Sequence, residues 1–458
     1  MRRTTSLTAA ATLGLALLVP TLGAGTADAA GETCRGEAAT IVGAEAVDIV
    51  GTEGRDVVVT NQSQRVTTLG GDDLVCITGP DQRNGSYRPV AVDTGEGNDL
   101  VDGTAAPGWP MDGHLGAGSD TFLGGGGGDR VSGGTYPYDA NYSDTEHDVL
   151  IGGGGADSVT SGQRGLPNTD VVDLGGGDDL LRYDGTRAGE SPVAGGEGRD
   201  SLFLSTTAQA LAIDNAAGLL TADGVPSLTW TGLESFTVAM ADGDAIDLTF
   251  LGTAADESLE VWRGSAVVRA ALGGGRDSFT TSSHLLDGSD IVGGAQRDLA
   301  YMVDRARRLS LDLRGGRFTG TDGTARQLAR VDGFEDAELH ARTVQLTGDS
   351  GRNHLDVSAC SGTVRGRSGN DTLHRAYDSW FETRPGCRER YTINGGPGND
   401  EIQGYGGTDR LVGGSGNDTL SGENGADTLI GGPGRDKADG GPGRPDRCVA
   451  EKEQRCER

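Results

Sequence analysis

Five aspartates follow one another at nine-residue intervals late in this chain of 458 residues: Asp400, Asp409, Asp418, Asp427 and Asp436. A row of carboxylates at fixed spacing repels itself unless cations sit in it. The chemistry it invites is hard-cation binding. Calcium takes about six to eight oxygens, from carboxylates and backbone carbonyls alike. The text around each aspartate supplies both. It reads GGPGNDEIQ from Gly395, GYGGTDRLV from Gly404, GGSGNDTLS from Gly413, GENGADTLI from Gly422 and GGPGRDKAD from Gly431. A sixth copy, GGPGRPDRC from Gly440, breaks down at its sixth position. The consensus is G-G-x-G-x-D-x-U-x, with U a large apolar residue.

The elements that must position these carboxylates follow from the same nine letters. G-G-x-G-x-D suits a tight turn whose glycines reach angles that other residues avoid. The remaining x-U-x suits a short strand with one side chain pointing inward. Two nonapeptides make one coil of eighteen residues, and coils stack at about 4.8 Å. Asp400, Asp418 and Asp436 then share one edge, and Asp409 and Asp427 the other. Ile402, Leu411, Leu420 and Leu429 fill the interior, with Ala438 as a weak last rung. The expected metal ligands are the five aspartates. Carbonyls of the turn glycines Gly396, Gly398, Gly407, Gly414, Gly416, Gly425, Gly432 and Gly434 complete them.

Degenerate copies run back toward the start. Their sixth-position aspartates are Asp56, Asp73, Asp99, Asp120, Asp129, Asp148, Asp157, Asp179 and Asp200. Most steps are near twenty, one coil rather than one half-coil, so the good turns are expected mainly along one edge. Steps of nine occur at Asp120/Asp129 and Asp148/Asp157, which makes these four the next candidate ligands. LAIDNAAGLLTADG from Leu211 resembles LSLDLRGGRFTGTDG from Leu309. The block is duplicated, about a hundred residues long. It is expected to continue the coil without metal, with Glu257 and Asn353 at the aspartate position.

Composition narrows the class. The formal net charge is −29, which excludes nucleic acid as a partner. Residues 1–29 read as a secretory signal peptide: Arg2 and Arg3, an apolar stretch from Ala9 to Val19, then Ala27-Asp28-Ala29. No other segment reaches a membrane-spanning length. Six cysteines in an exported chain imply three disulfides. Sequence proximity suggests Cys34–Cys76, Cys360–Cys387 and Cys448–Cys456.

The chain resembles secreted bacterial RTX, or haemolysin-type, calcium-binding repeat proteins, strictly over 395–439 and loosely over 51–446. The fold expected is all-β, a right-handed parallel β-roll or β-helix solenoid that binds several calcium ions. The expected segments are a signal peptide (1–29), a degenerate solenoid (30–205), the duplicated block (206–390), regular repeats (391–446) and a disulfide-capped tail (447–458). RTX toxins and proteases usually lack an N-terminal signal peptide, and this chain departs from them there.

No H-E-x-x-H or G-x-S-x-G motif is present, so no catalytic residues are assigned. The expected function is that of an extracellular, monomeric calcium-binding protein with a structural or adhesive role. The alternative is a carbohydrate-binding module or a polysaccharide-acting β-helix enzyme with calcium as structural cofactor. A glycan or cell-surface partner would meet two loops. One carries Tyr136, Tyr138, Asp139, Tyr142, Asp144 and His147. The other carries Tyr377, Trp380, Arg388 and Tyr391.

Overall fold

The computed structural model describes residues 31–457, except 46, 79–88, 107, 135–144, 163–165, 185, 188–191, 242, 322–325, 377–386, 388 and 444. The signal-peptide segment therefore lies outside the described residues. So do Tyr136, Tyr138, Asp139, Tyr142, Asp144, Tyr377, Trp380 and Arg388.

The nonapeptides fold as their pattern dictates. The x-U-x triplets form the strands Glu401–Gln403, Thr419–Ser421 and Lys437–Asp439. These stack in parallel with Glu401 beside Thr419 and Thr419 beside Lys437, one step of eighteen residues. The strands Arg410–Ser415 and Thr428–Ile430 stack on the other face in the same way. The chain is all-β. Strand makes up 55% of it, and no helix occurs among the described residues. A single sheet assembly of 41 strands runs through it.

In-register stacking puts like residues above one another. Val58, Val75, Val101, Phe122, Leu150 and Val172 form one interior file, and all are essentially inaccessible. Leu355, Leu373, Ile402, Leu420 and Ala438 form part of the file on the opposite face. Each buried Val, Leu, Ile or Phe contributes about 1.5–3 kcal/mol. The interior is only two side chains thick, so no coil is stable without its neighbours.

The duplicated text is more than a plain continuation of the coil. Each copy adds an antiparallel meander to the parallel stack. In the first, Ala210–Asp214 pairs with Leu219–Ala222, which pairs with Val225–Thr231. In the second, Leu299–Asp312 pairs with Arg317–Thr321, which pairs with Arg326–Asp332. The cause is local. Gly218 and Gly316 hold φ of 60° and 56°, left-handed values at which glycine turns the chain cheaply. An alternating apolar run on either side then folds back instead of advancing one coil.

The three disulfides join Cys34–Cys76, Cys360–Cys387 and Cys448–Cys456, as their sequence proximity suggested. The first ties an N-terminal hairpin, Thr33–Cys34 with Glu37–Ala38, over the outer side of Val57, Val59 and Leu74. It closes a 42-residue separation, for which chain entropy gives about 4 kcal/mol. Cys34→Ser/Cys76→Ser is expected to open the first coils selectively. Hydrogen exchange should rise over residues 31–76 and stay unchanged near 400–440. Equal protection in both proteins would refute this.

Candidate metal centre in the stacked aspartate turns

Each repeat aspartate begins a strand, and its side chain points along the stack rather than outward. Its Oδ1 accepts a hydrogen bond from the backbone N–H of the equivalent residue one coil earlier. Asp400 N donates to Asp418 at 2.9 Å and Asp418 N to Asp436 at 2.9 Å. On the other edge Tyr391 N donates to Asp409 and Asp409 N to Asp427, both at 2.8 Å. The two edges are those expected from the eighteen-residue step. All five carboxylates are buried.

The second oxygen of each is the informative atom. Oδ2 of Asp400, Asp409, Asp418, Asp427 and Asp436 is buried and has no hydrogen-bond partner. An unsatisfied buried polar atom costs about 1–3 kcal/mol, and a charged one more. Stacked carboxylates add repulsion of about 3 kcal/mol per pair at a coil spacing near 4.8 Å and an effective dielectric near 20. Burial is the main reason Asp400, Asp409, Asp418 and Asp427 resist ionising, with the stacked neighbour second among the raising causes. Asp400 and Asp409 are pushed up to about 7 and Asp427 to about 6. Asp418 is also raised.

The first glycine of each repeat keeps open the space that these oxygens face. A Cβ at Gly422 would lie 2.6 Å from Asp427 Oδ2 and 2.7 Å from the Gly440 carbonyl oxygen. At Gly404 it would lie 2.6 Å from Asp409 Oδ2 and 3.1 Å from the Gly422 carbonyl oxygen. Neither glycine has positive φ, so space and not backbone angle requires glycine there. The other turn glycines serve the bend. Gly396, Gly398, Gly407, Gly414, Gly416, Gly425 and Gly432 hold φ between 110° and 153°. At Gly434 a Cβ would overlap the Gly416 carbonyl. The result is an orphaned carboxylate oxygen packed close to a carbonyl from the next coil. That donor set suits a hard cation. Gly422→Ala is expected to weaken calcium binding at least about tenfold at that turn, by forcing that oxygen and carbonyl apart. Isothermal titration reads this directly, and unchanged affinity would rule this donor pair out.

Upstream the aspartates do not keep mainly to one edge, contrary to expectation. Asp56, Asp73, Asp99, Asp120 and Asp148 form one column, linked amide to carboxylate at 2.7–2.9 Å. Asp129, Asp157, Asp179 and Asp200 form a second column on the other edge, linked at 2.6–3.0 Å. The nine-residue steps are where the chain crosses between columns. Steps near twenty count coils along either column and cannot say which. Oδ2 of Asp157 is again buried without a hydrogen-bond partner. Asp148 is pushed up to about 8, Asp157 to about 7 and Asp129 to about 6, each mainly by burial.

Several rungs carry no clear sequence signal. Asp170 accepts from Asp148 N at 3.1 Å, although no glycine turn precedes it. Asp446 accepts from Asp427 N at 2.9 Å. The sixth copy therefore does not break down. Pro445 displaces its aspartate by one residue, and Asp446 still takes the acceptor place. Glu234, Glu335 and Glu451 take the acceptor role through the longer carboxylate. Asparagines at the fifth position make a second, exposed ladder: Asn399 N to Asn370 at 2.8 Å and Asn417 N to Asn399 at 2.6 Å. The G-N-D text at each turn was the available clue.

One residue corrects the glycan-facing expectation. Tyr391 is fully buried, and its hydroxyl accepts from Ala359 N at 2.7 Å. It belongs to the core and cannot line a surface. His147 is exposed, as that expectation had it, with Nδ1 2.5 Å from the Thr169 carbonyl of the neighbouring coil.

With this geometry in view, the comparison with known families is specific. Residues 114–135, 142–163, 392–420 and 412–444 match the RTX calcium-binding nonapeptide repeat. The chain carries RTX-type calcium-binding repeats, built into a parallel β-solenoid. The matched stretches include Asp120, Asp129, Asp148 and Asp157 as well as all five late aspartates. No curated protein matches the chain.

Proposed function

We propose that this chain is a secreted calcium-binding protein whose calcium ions, held between stacked turns, order the solenoid outside the cell. Its role is structural or adhesive rather than catalytic. The observation that carries the reading is the file of buried, unpartnered Oδ2 atoms in both columns. Oxygens placed this way cost stability until a cation meets them. In the reading, Asp400, Asp409, Asp418, Asp427 and Asp436 are the principal ligands. Asp120, Asp129, Asp148 and Asp157 extend the array upstream, and turn carbonyls complete each shell.

Three disulfides and the repeat class support an extracellular setting. No helix among the described residues is long and apolar enough to cross a membrane. Extracellular calcium modules bind at about 10⁻⁴ to 10⁻³ M. Binding energy then becomes folding energy only where calcium is abundant. The test is equilibrium dialysis of the chain from Ala30 against labelled calcium. Several ions per chain near millimolar calcium is the expected result. Fewer than one ion per chain at that concentration would overturn the reading.

A further inference from the structure

Two of the six histidines of the chain, His354 and His374, sit on the outward face of consecutive coils, on the strands that follow Asn353 and Asp371. The strand His354–Ser358 alternates inward and outward, so His354 and Asp356 share the outer face while Leu355 and Val357 enter the core. One coil later the strand Thr372–Arg375 sets His374 directly beside Asp356. His354 and His374 meet edge to face, with ring centroids 5.7 Å apart. His354 Nε2 lies 3.3 Å from Asp356 Oδ2. One ligand atom from each of the three residues falls within 4.8 Å of the other two.

We propose that His354, Asp356 and His374 form a binding site for a divalent transition metal of the zinc class, distinct from the calcium turns. Two further atoms support it. Asp356 Oδ1 and His374 Nε2 are both buried and without a hydrogen-bond partner, which is unusual on an outer face where water is near. Chemistry decides the metal. Calcium takes oxygen ligands, whereas imidazole nitrogen suits zinc, copper, nickel and iron. Zinc with bonds of about 2.0–2.2 Å needs tetrahedral ligands roughly 3.4 Å apart. The His354–Asp356 separation already meets that value, and the His374 ligand atom lies within 4.8 Å of both.

The neighbouring groups leave the set available. Asp336 on the preceding coil is held by Arg297 through two hydrogen bonds, and it accepts from His354 N–H at 2.9 Å. Glu338, in register with Asp356, is paired to His340. Neither carboxylate competes for the three ligands. Three protein ligands leave a fourth position open to solvent, the arrangement found in metal sites that act on a bound water or ligand.

The test uses the full mature chain saturated with calcium, with cobalt(II) as a spectroscopic probe and zinc(II) as competitor. One equivalent of cobalt should give visible ligand-field bands, and zinc should abolish them while further calcium does not. His374→Ala and Asp356→Asn should each weaken zinc binding at least about tenfold. His284→Ala, on another part of the surface, should leave it unchanged. All three side chains point outward, so far-UV circular dichroism of each variant should match the parent. Asp356→Asn keeps the side-chain shape and carries the test if an alanine variant misfolds. No cobalt bands in the folded, calcium-loaded protein would overturn the proposal. So would equal zinc affinity in the parent and Asp356→Asn. Neither outcome bears on the calcium turns, which are read by calcium titration alone.

Discussion

Asp409→Asn/Asp418→Asn/Asp427→Asn is expected to keep its β signal in chelator and to lose the calcium response of the late coils. The parent should show the reverse, with little order in chelator and a cooperative gain near millimolar calcium. The argument rests on the two oxygens of each aspartate. Oδ1 serves the amide of the preceding coil, and asparagine retains that acceptor. Oδ2 is the orphan, and asparagine replaces it with an uncharged donor. Asn353 already holds an aspartate position in the stack, with its oxygen bonded inside its own turn and its amide nitrogen reaching the preceding coil. At Asn353, Oδ1 accepts from Asp349 N–H at 3.0 Å, while Nδ2 donates to the Glu335 carbonyl at 2.9 Å. That rung leaves no side-chain atom unpartnered. The triple alanine variant differs, because it also strips acceptors from the amides of Tyr391, Asp400 and Asp409. Each orphaned amide costs about 1–3 kcal/mol. It should therefore be less ordered than the asparagine variant in chelator and at least about tenfold weaker than the parent in calcium. Calcium-titrated circular dichroism of the three proteins separates these cases. A parent fully ordered in chelator, with no calcium response, would sink the account.

Acidity is expected to substitute for calcium in part. Asp400 and Asp409 are pushed up to about 7, Asp148 to about 8 and Asp427 to about 6, chiefly by burial. The ordinary value is 3.8. A folded value above the unfolded one means that the fold binds more protons. The stability so gained is fully present below about pH 4, and it is lost as pH rises through 6 to 8. Calcium-stripped protein should therefore be more ordered at pH 5 than at pH 8. Calcium acts in the opposite sense, since it needs the ionised form and displaces the protons. At pH 6.5, calorimetry in buffers of different ionisation enthalpy should show proton release on calcium binding. Calcium-stripped protein that is better ordered at pH 8 would refute the linkage.

The late repeats were legible because one nine-residue pattern sets turn, strand and ligand together. Ile402, Leu411, Leu420 and Leu429 are as buried as their phase required. Legibility fell where geometry parted from glycine content. Asp170 and Glu234 hold places in the stack because their strands are in register, and register is not written in any single turn. The columns to which Asp129 and Asp157 belong depend on how many strands intervene, which spacing alone leaves open. Tyr391 looked like a surface aromatic because its neighbours are polar. Its depth is set by Asp409, one coil on, which fixes its amide. The grouping of His354, Asp356 and His374 is not legible in the sequence because His374 lies eighteen residues beyond Asp356 and meets it only through parallel pairing.

The amide-to-carboxylate ladder has a direction. Each aspartate amide in it is completed by a side chain that comes later in the sequence: Asp400 by Asp418, Asp418 by Asp436, and Asp436 by Glu451. A chain that appears from its N-terminus always has a last coil whose buried amide lacks its acceptor. Closure is thus withheld from a partial chain and granted by the rung supplied with Glu451 and the Cys448–Cys456 loop. Order should spread backward along the polypeptide, against the direction in which it is made.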